Sequence, residues 1–164
     1  MRCFSILSLL LGGLIGQPQT DAAEPVTVDQ LQVAVFHRVP GKAGQGSCVA
    51  TGQAGSWNSR FVGSPTVVHD DGTYWMWFNG GEVTADTSYP YKIIERIGGA
   101  TSRDGVNWKP LNGGKPALRL GPKGSADHRG MAHPYVLKVG DRFLMWYGGI
   151  DGRAGKDVGD GPAH

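Results

Sequence analysis

Past residue 60 the apolar residues of this chain fall into short runs cut by turn residues, and no stretch keeps a helical period. Pro65 to His69 is a β-branched run that a proline can open, because a first strand residue need not donate to the ladder. Asp70-Asp71-Gly72 reads as a turn, with Gly72 able to take positive φ. Tyr74 to Phe78 reads as the return strand, rich in aromatics that suit a pleated surface, and Gly80-Gly81 is expected to end it.

The same hairpin recurs. The segment from Pro65 to Gly80 aligns without gaps on Pro134 to Gly149, an offset of 69 residues. Tyr74 and Phe143, and Phe78 and Tyr147, are aromatic exchanges, and upstream Arg60 matches Arg129. The second copy turns at Gly140-Asp141. Between the copies, Arg96 to Ser102 reads as a third strand, Asp104-Gly105 as a turn, and a fourth strand is expected to start near Asn107. Four antiparallel strands in roughly 70 residues is the layout of one blade of a β-propeller. The chain is therefore read as all-β: residues 55–125 form a first blade, and residues 126–164 begin a second one that stops after its first hairpin. Residues 23–54 are an N-terminal segment that could supply a strand closing a last blade. Blades bury their faces on neighbours, so the chain is expected to be the front portion of a longer product.

Ahead of this lies a different pattern. A charged start, Met1-Arg2-Cys3, leads into one apolar run from Phe4 to Gly16 and then to small residues at Thr20-Asp21-Ala22-Ala23. That order is a secretory signal peptide over residues 1–22, and the run is too short for the ~20 residues a membrane span needs. The expected location is secreted or periplasmic, with no membrane association after cleavage. Removing Arg2 and Asp21 takes one charge of each sign and keeps the net charge at +2, so neither nucleic acid nor an acidic surface is indicated as a partner. Cleavage also removes Cys3, so no intrachain disulfide is expected, and Cys48 is read as a buried or loop thiol without a role. Gly 27, Pro 10 and only 18 % charged residues fit aromatic strands joined by tight turns.

Gly55-Ser56-Trp57-Asn58-Ser59, Val62-Gly63-Ser64-Pro65, the Met76-Trp77-Phe78 strand, the run from Ile97 to Trp108 and the second Met145-Trp146-Tyr147 strand form one series. Over roughly residues 55 to 150 it resembles the five-bladed β-propeller glycoside hydrolases, the arabinanase, β-xylosidase, invertase and levansucrase superfamily. The resemblance implies an exported carbohydrate-active protein that cleaves glycosidic bonds in poly- or oligosaccharides by paired carboxylates around an axial funnel. One carboxyl stays ionised while another donates a proton to the leaving oxygen. It implies an aspartate in the first blade, a second one that tunes the pair, and a glutamate from the third blade. Here the chain departs from the pattern: Asn58 stands where relatives often carry the aspartate, and an amide is neither base nor nucleophile. The matching place in the second copy is Asp127, the candidate catalytic carboxylate, and the third-blade glutamate would lie beyond His164. This portion alone is thus expected to be incomplete and inactive. The alternative is a non-catalytic carbohydrate-binding or scaffolding propeller, which Asn58 favours.

Asn58, Arg60, His128 and Arg129 precede the two innermost strands and, with His133 and Trp57, are the candidate substrate-binding residues. The arginines could orient a carboxylate or bind hydroxyl oxygens, or could instead link blades structurally. His133 precedes the strand proline and could face the funnel; Trp57 could stack on a sugar ring or pack. Glu82 and Asp151 are read as charges in solvated loops. Ser102-x-Asp104-Gly105-x-x-Trp108 approaches the Asp-box turn of sialidases with its spacing one residue off, and reads as a hairpin brace. Trp77 and Trp146 are read as core between blades. No metal-ligand spacing, phosphate-cradling loop or nucleophile elbow is present, so no cofactor is expected; calcium at the axis is left open by the resemblance.

Overall fold

In a computed structural model of the protein, the described residues are 4–5 and 37–152. The signal peptide read over residues 1–22 lies outside them except for Phe4–Ser5, which pairs antiparallel with His37–Arg38. Residues 153–164, the tail assigned to the second blade, also lie outside them.

The described part is all-β. Its helical turns are the three-residue 3-10 segments Gly44–Gly46, Pro90–Lys92 and Asn112–Gly114. Four strands, β1 (Phe61–Asp70), β2 (Thr73–Val83), β3 (Ile93–Ser102) and β4 (Lys109–Pro110), form one antiparallel sheet in that order. A second sheet is the hairpin β5 (Gly130–Val139) and β6 (Arg142–Ile150).

Both hairpin turns follow from the residues placed there. Asp70 pairs with Thr73, leaving Asp71 (φ 44°) and Gly72 (φ 64°) as a two-residue loop with both φ positive, the I′ pattern that suits twisted strands. In the second copy Gly140 (φ 60°) takes the first loop position, as a II′ turn requires.

The strands run longer than their apolar patterns. Gly80 and Gly81 do not end β2, which continues to Val83. A Cβ on Gly80 would lie 2.7 Å from Asn58 Cβ and 2.8 Å from the Trp57 ring, and one on Gly81 would overlap the Phe61 ring and lie 2.7 Å from Ile93 Cγ2. The two glycines are therefore places where aromatic side chains lie flat on the sheet. The fourth strand starts later than expected, at Lys109 rather than near Asn107. The reason is the preceding turn: the Val106 and Asn107 amides donate to Asp104 Oδ1 at 2.9 and 2.7 Å and are withdrawn from the ladder. Trp108 Nε1 donates to Gly105 O at 2.9 Å and Ser102 Oγ accepts from Gly105 N at 3.0 Å, so the segment is a brace.

Alternation sorts β2 into two cores. Met76 and Phe78 join Cys48, Val49 and Ala100 on one face, with Trp57, Val62 and Trp108 at the margin. Trp77, with Trp75 beside it, faces the second hairpin and packs with Ile97, Met131 and Val136, flanked by Val68, Leu118, Leu120, Phe143 and Met145. Trp77 is thus core between the two sheets, whereas Trp146, read as its counterpart, is exposed. In the uncleaved chain, whose sequence still holds Cys3, Cys48 is disulfide-bonded and buried beside Val49.

Hydrogen bonds repeat at the spacing seen in the residues. Arg60 N donates to Gly81 O at 2.8 Å and Arg129 N to Ile150 O at 2.9 Å. Ser56 N donates to Gln53 O at 3.0 Å and Ser125 N to Pro122 O at 2.9 Å. Each inner strand also breaks register at the same place, between Gly63 and Thr66 and between Ala132 and Tyr135. The repeat is one of conformation and extends upstream of the hairpins.

Candidate functional site

The turn ahead of each inner strand is built the same way. Ser56 Oγ lies 2.7 Å from Gln53 O and 3.2 Å from Asn58 Oδ1, and Ser125 Oγ donates to Asp127 Oδ1 at 2.7 Å. In both turns these side chains fold over a glycine, Gly52 or Gly121, where a Cβ would overlap them. Asn58 and Asp127 therefore occupy one structural position, a brace that an amide or a carboxylate can fill.

The two copies differ in what lies beside the brace. In the first, Trp57 stacks on Phe78 with ring centroids 5.9 Å apart, and its Nε1 donates to Gly114 O at 2.7 Å. In the second, Ala126 replaces the indole and Tyr147 replaces Phe78, and the Tyr147 hydroxyl donates to Asp127 Oδ2 at 2.9 Å. The hydroxyls of Ser125 and Tyr147, donating to it, hold the Asp127 carboxyl below the usual carboxylate range. The same bond pushes the Tyr147 phenol up. At neutral pH Asp127 is an ionised acceptor. It can receive a proton or a hydroxyl's hydrogen bond, and it has no proton to give.

The remaining candidates separate. His128 Nδ1 donates to Ser125 O at 2.7 Å and belongs to the turn. Arg129 reaches away from Asp127 to the loop between β2 and β3: Nη2 donates to Ser88 Oγ at 2.5 Å, lies 3.8 Å from Asp86 Oδ2, and the guanidinium sits 4.0 Å over the Tyr89 ring. Hydrogen bonds from Ser88, first from its side chain, lower the Asp86 pKa, with the Arg129 charge a smaller cause. The second-copy arginine thus clamps a loop of the first sheet onto the second. Arg60 is exposed, beside Phe61 and Val62 on an open recess. Trp57 and Asn58 line a cleft of ≈ 650 Å³ with Phe78, Asn107 and Trp108. Glu82 is not a loop charge: it lies within β2 and pairs with Arg96.

His133 meets a residue the sequence reading passed over. Its Nδ1 is 3.1 Å from Ser64 Oγ, and the two are equivalent in the repeat, 69 residues apart. Both precede a proline, sit at the register break and have positive φ, 44° for Ser64 and 52° for His133. Such a backbone costs about 1–3 kcal/mol per residue, and strain of this kind gathers at functional sites. Points related by a rotation are separated in proportion to their distance from its axis. Equivalent side chains in hydrogen-bond contact are therefore close to the axis relating the two units. The signal was in the chain: shifting His133 back by one repeat lands on Ser64.

Among the described residues, no group of three or more His, Cys, Asp or Glu side chains is placed to hold a metal ion. No helix among them is long and apolar enough to cross a membrane.

What the fold defines is an all-β chain of repeated antiparallel hairpins. No family model matches it. The chain is similar to a 1,2-beta-oligomannan phosphorylase of Thermoanaerobacter sp. (strain X514), with 26 % identity over 97 residues, 59 % of this chain and 31 % of that protein. It thus spans about a third of the length of the curated relative it matches.

Proposed function

We propose that this chain is the front part of an exported, carbohydrate-active β-propeller that acts on glycosidic bonds of poly- or oligosaccharides. The similarity to an oligomannan phosphorylase carries the reading. The two conformationally equivalent units and the strained Ser64–His133 pair near the axis relating them support it. A ring of such units gathers the residues before each inner-strand proline around one opening, where a sugar can meet several units at once. In that opening His133 Nδ1 is engaged by Ser64, which leaves its Nε2 for a sugar hydroxyl.

In the reaction the bond from the anomeric carbon to the leaving oxygen breaks and a bond to the acceptor's oxygen forms. A carboxylic acid protonates the leaving oxygen. The acceptor is water in hydrolysis and inorganic phosphate in phosphorolysis. Asp127, ionised, serves as acceptor for a hydroxyl or for the proton of an incoming water, and the proton donor comes from a further unit. A non-catalytic carbohydrate-binding propeller is the second reading, favoured by Asn58 and Asp127 sharing one brace position.

The test incubates the full-length gene product with β-mannan oligosaccharides, arabinan, xylan and fructan, with and without phosphate. Reducing-sugar release without phosphate indicates hydrolysis, and a sugar phosphate formed only with phosphate indicates phosphorolysis. Binding without turnover supports the second reading; neither binding nor turnover overturns both. Export is tested by N-terminal sequencing of the secreted product, expected to begin near Ala23.

A further inference from the structure

We infer that the room above Gly63 is a subsite for one hydroxyl of the sugar, with the amide oxygen of Asn79 as its acceptor. Asn79 pairs with Gly63 on one side and with Ile97 on the other, and Gly81 pairs with Glu95. Opposed residues of an antiparallel ladder share a face, and so do residues two apart in a strand. Gly63, Asn79, Glu95 and Ile97 therefore lie on the face of the first sheet that meets β5, where Ile97 shares a core with Met131 and Val136. Asn79 is 3 % exposed, and its Nδ2 donates to Glu95 Oε2 at 2.7 Å. A carboxylate accepts and cannot donate, so Glu95 fixes which way the amide faces. Oδ1 is turned away from Glu95, buried and without a hydrogen-bond partner among the described residues. A buried acceptor with no donor is costly and calls for an explanation.

What Gly63 lacks sets the place for the donor. An atom at the position of a Cβ on Gly63 would lie 3.8 Å from Asn79 Oδ1, with no other heavy atom of the described residues within 4 Å beyond its chain neighbours. A hydroxyl oxygen there comes into hydrogen-bond range by moving about 1 Å closer. Gly63 is half-buried and precedes Ser64, which is exposed, as is His133. The acceptor thus lies beside the pair at which the sugar is read to arrive. The second unit shows that the hairpin itself does not require this arrangement. There Ala132 and Gly148 take the places of Gly63 and Asn79, paired in the same register beside the same break. A methyl group and a glycine stand where the first unit has room and an amide. Either combination makes the hairpin, so the unpaired amide serves something outside it.

The ligand class rests on the carbohydrate reading, and the test separates the two. The full-length gene product and its Gly63→Ala variant are titrated calorimetrically with β-mannan, arabinan, xylan and fructan oligosaccharides. The new methyl group fills the subsite and meets nothing closer than 3.8 Å, so the Tm of Gly63→Ala should match or exceed that of the parent. Its sugar affinity should fall about tenfold, the worth of one lost hydrogen bond. Monodeoxy analogues of the bound sugar supply a readout that a structural role would not move. One of them should bind the parent about tenfold more weakly than the sugar itself, and bind Gly63→Ala no more weakly than the sugar does. Glu95→Gln, which lets the Asn79 amide turn over, should blunt the same discrimination. If Gly63→Ala binds every sugar as the parent does, or the parent discriminates against none of the analogues, this subsite is refuted while the carbohydrate reading stands. A parent that binds none of the sugars overturns both.

Discussion

Ile97→Ala tests whether the two sheets are held together as described. Ile97 is fully buried at the centre of β3, in one buried cluster with Trp77 of its own sheet and Met131 and Val136 of the other. Truncation to alanine removes three carbons, each worth about 0.8 kcal/mol of transfer free energy. The Trp77 ring and the Met131 side chain are anchored in different sheets, so the space closes only in part and a cavity cost adds to the transfer loss. The expected destabilisation is about 3–4 kcal/mol, within the 2–5 kcal/mol typical of such truncations. Urea unfolding followed by tryptophan emission measures it: the midpoint should fall with the slope unchanged. Val83→Ala, at an exposed position of β2, is the control and should shift stability by less than about 0.5 kcal/mol. A loss below about 1 kcal/mol for Ile97→Ala would refute the reasoning, since a side chain so placed can be cheap to remove only if the sheets are not packed through it.

Three further outcomes are expected. Tyr147→Phe removes one of the two hydroxyls that lower the Asp127 pKa, so that pKa should rise toward the ordinary carboxylate value in an NMR titration. Because the folded value lies below the unfolded one, Asp127 stabilises the fold above about pH 4 and loses this contribution as pH falls through its folded pKa, so the variant should keep less stability at neutral pH. Gly81→Ala brings a Cβ against Phe61 and Ile93 and should cost about 1–3 kcal/mol by overpacking, read as a lower Tm. Arg129→Ala releases the loop holding Asp86, Ser88 and Tyr89; limited proteolysis there should accelerate while the Trp77 environment stays unchanged.

Much of the architecture was legible because it is local. Alternation, the Asp71-Gly72 and Gly140-Asp141 turns and the 69-residue offset all state themselves over a few residues, and the hairpins follow. The Asp104 brace was legible for the same reason, since its partners lie within four positions. Gly80-Gly81 misled because a glycine pair that ends a strand and one that admits an aromatic ring look alike until Trp57 and Phe61 are seen above them. Trp77 and Trp146 misled in the opposite way. They are identical residues at equivalent positions, and only the presence of a neighbouring sheet makes one of them core.

The candidate site shows the same division more sharply. That Asn58 and Asp127 correspond could be read from the chain, but not that both fold over a glycine, nor that Tyr147 reaches one of them. Arg129 carried the residue type of a ligand-binding group, yet its partners come from a loop some forty positions earlier, in the other sheet. By itself the sequence determined the strand-and-turn grammar and the repeat, because backbone geometry and side-chain alternation act between near neighbours. Only the tertiary structure decided which equivalent residues are buried, and that Ser64 and His133 meet. Both depend on where one unit lies against the next, and packing between segments far apart in the chain sets that.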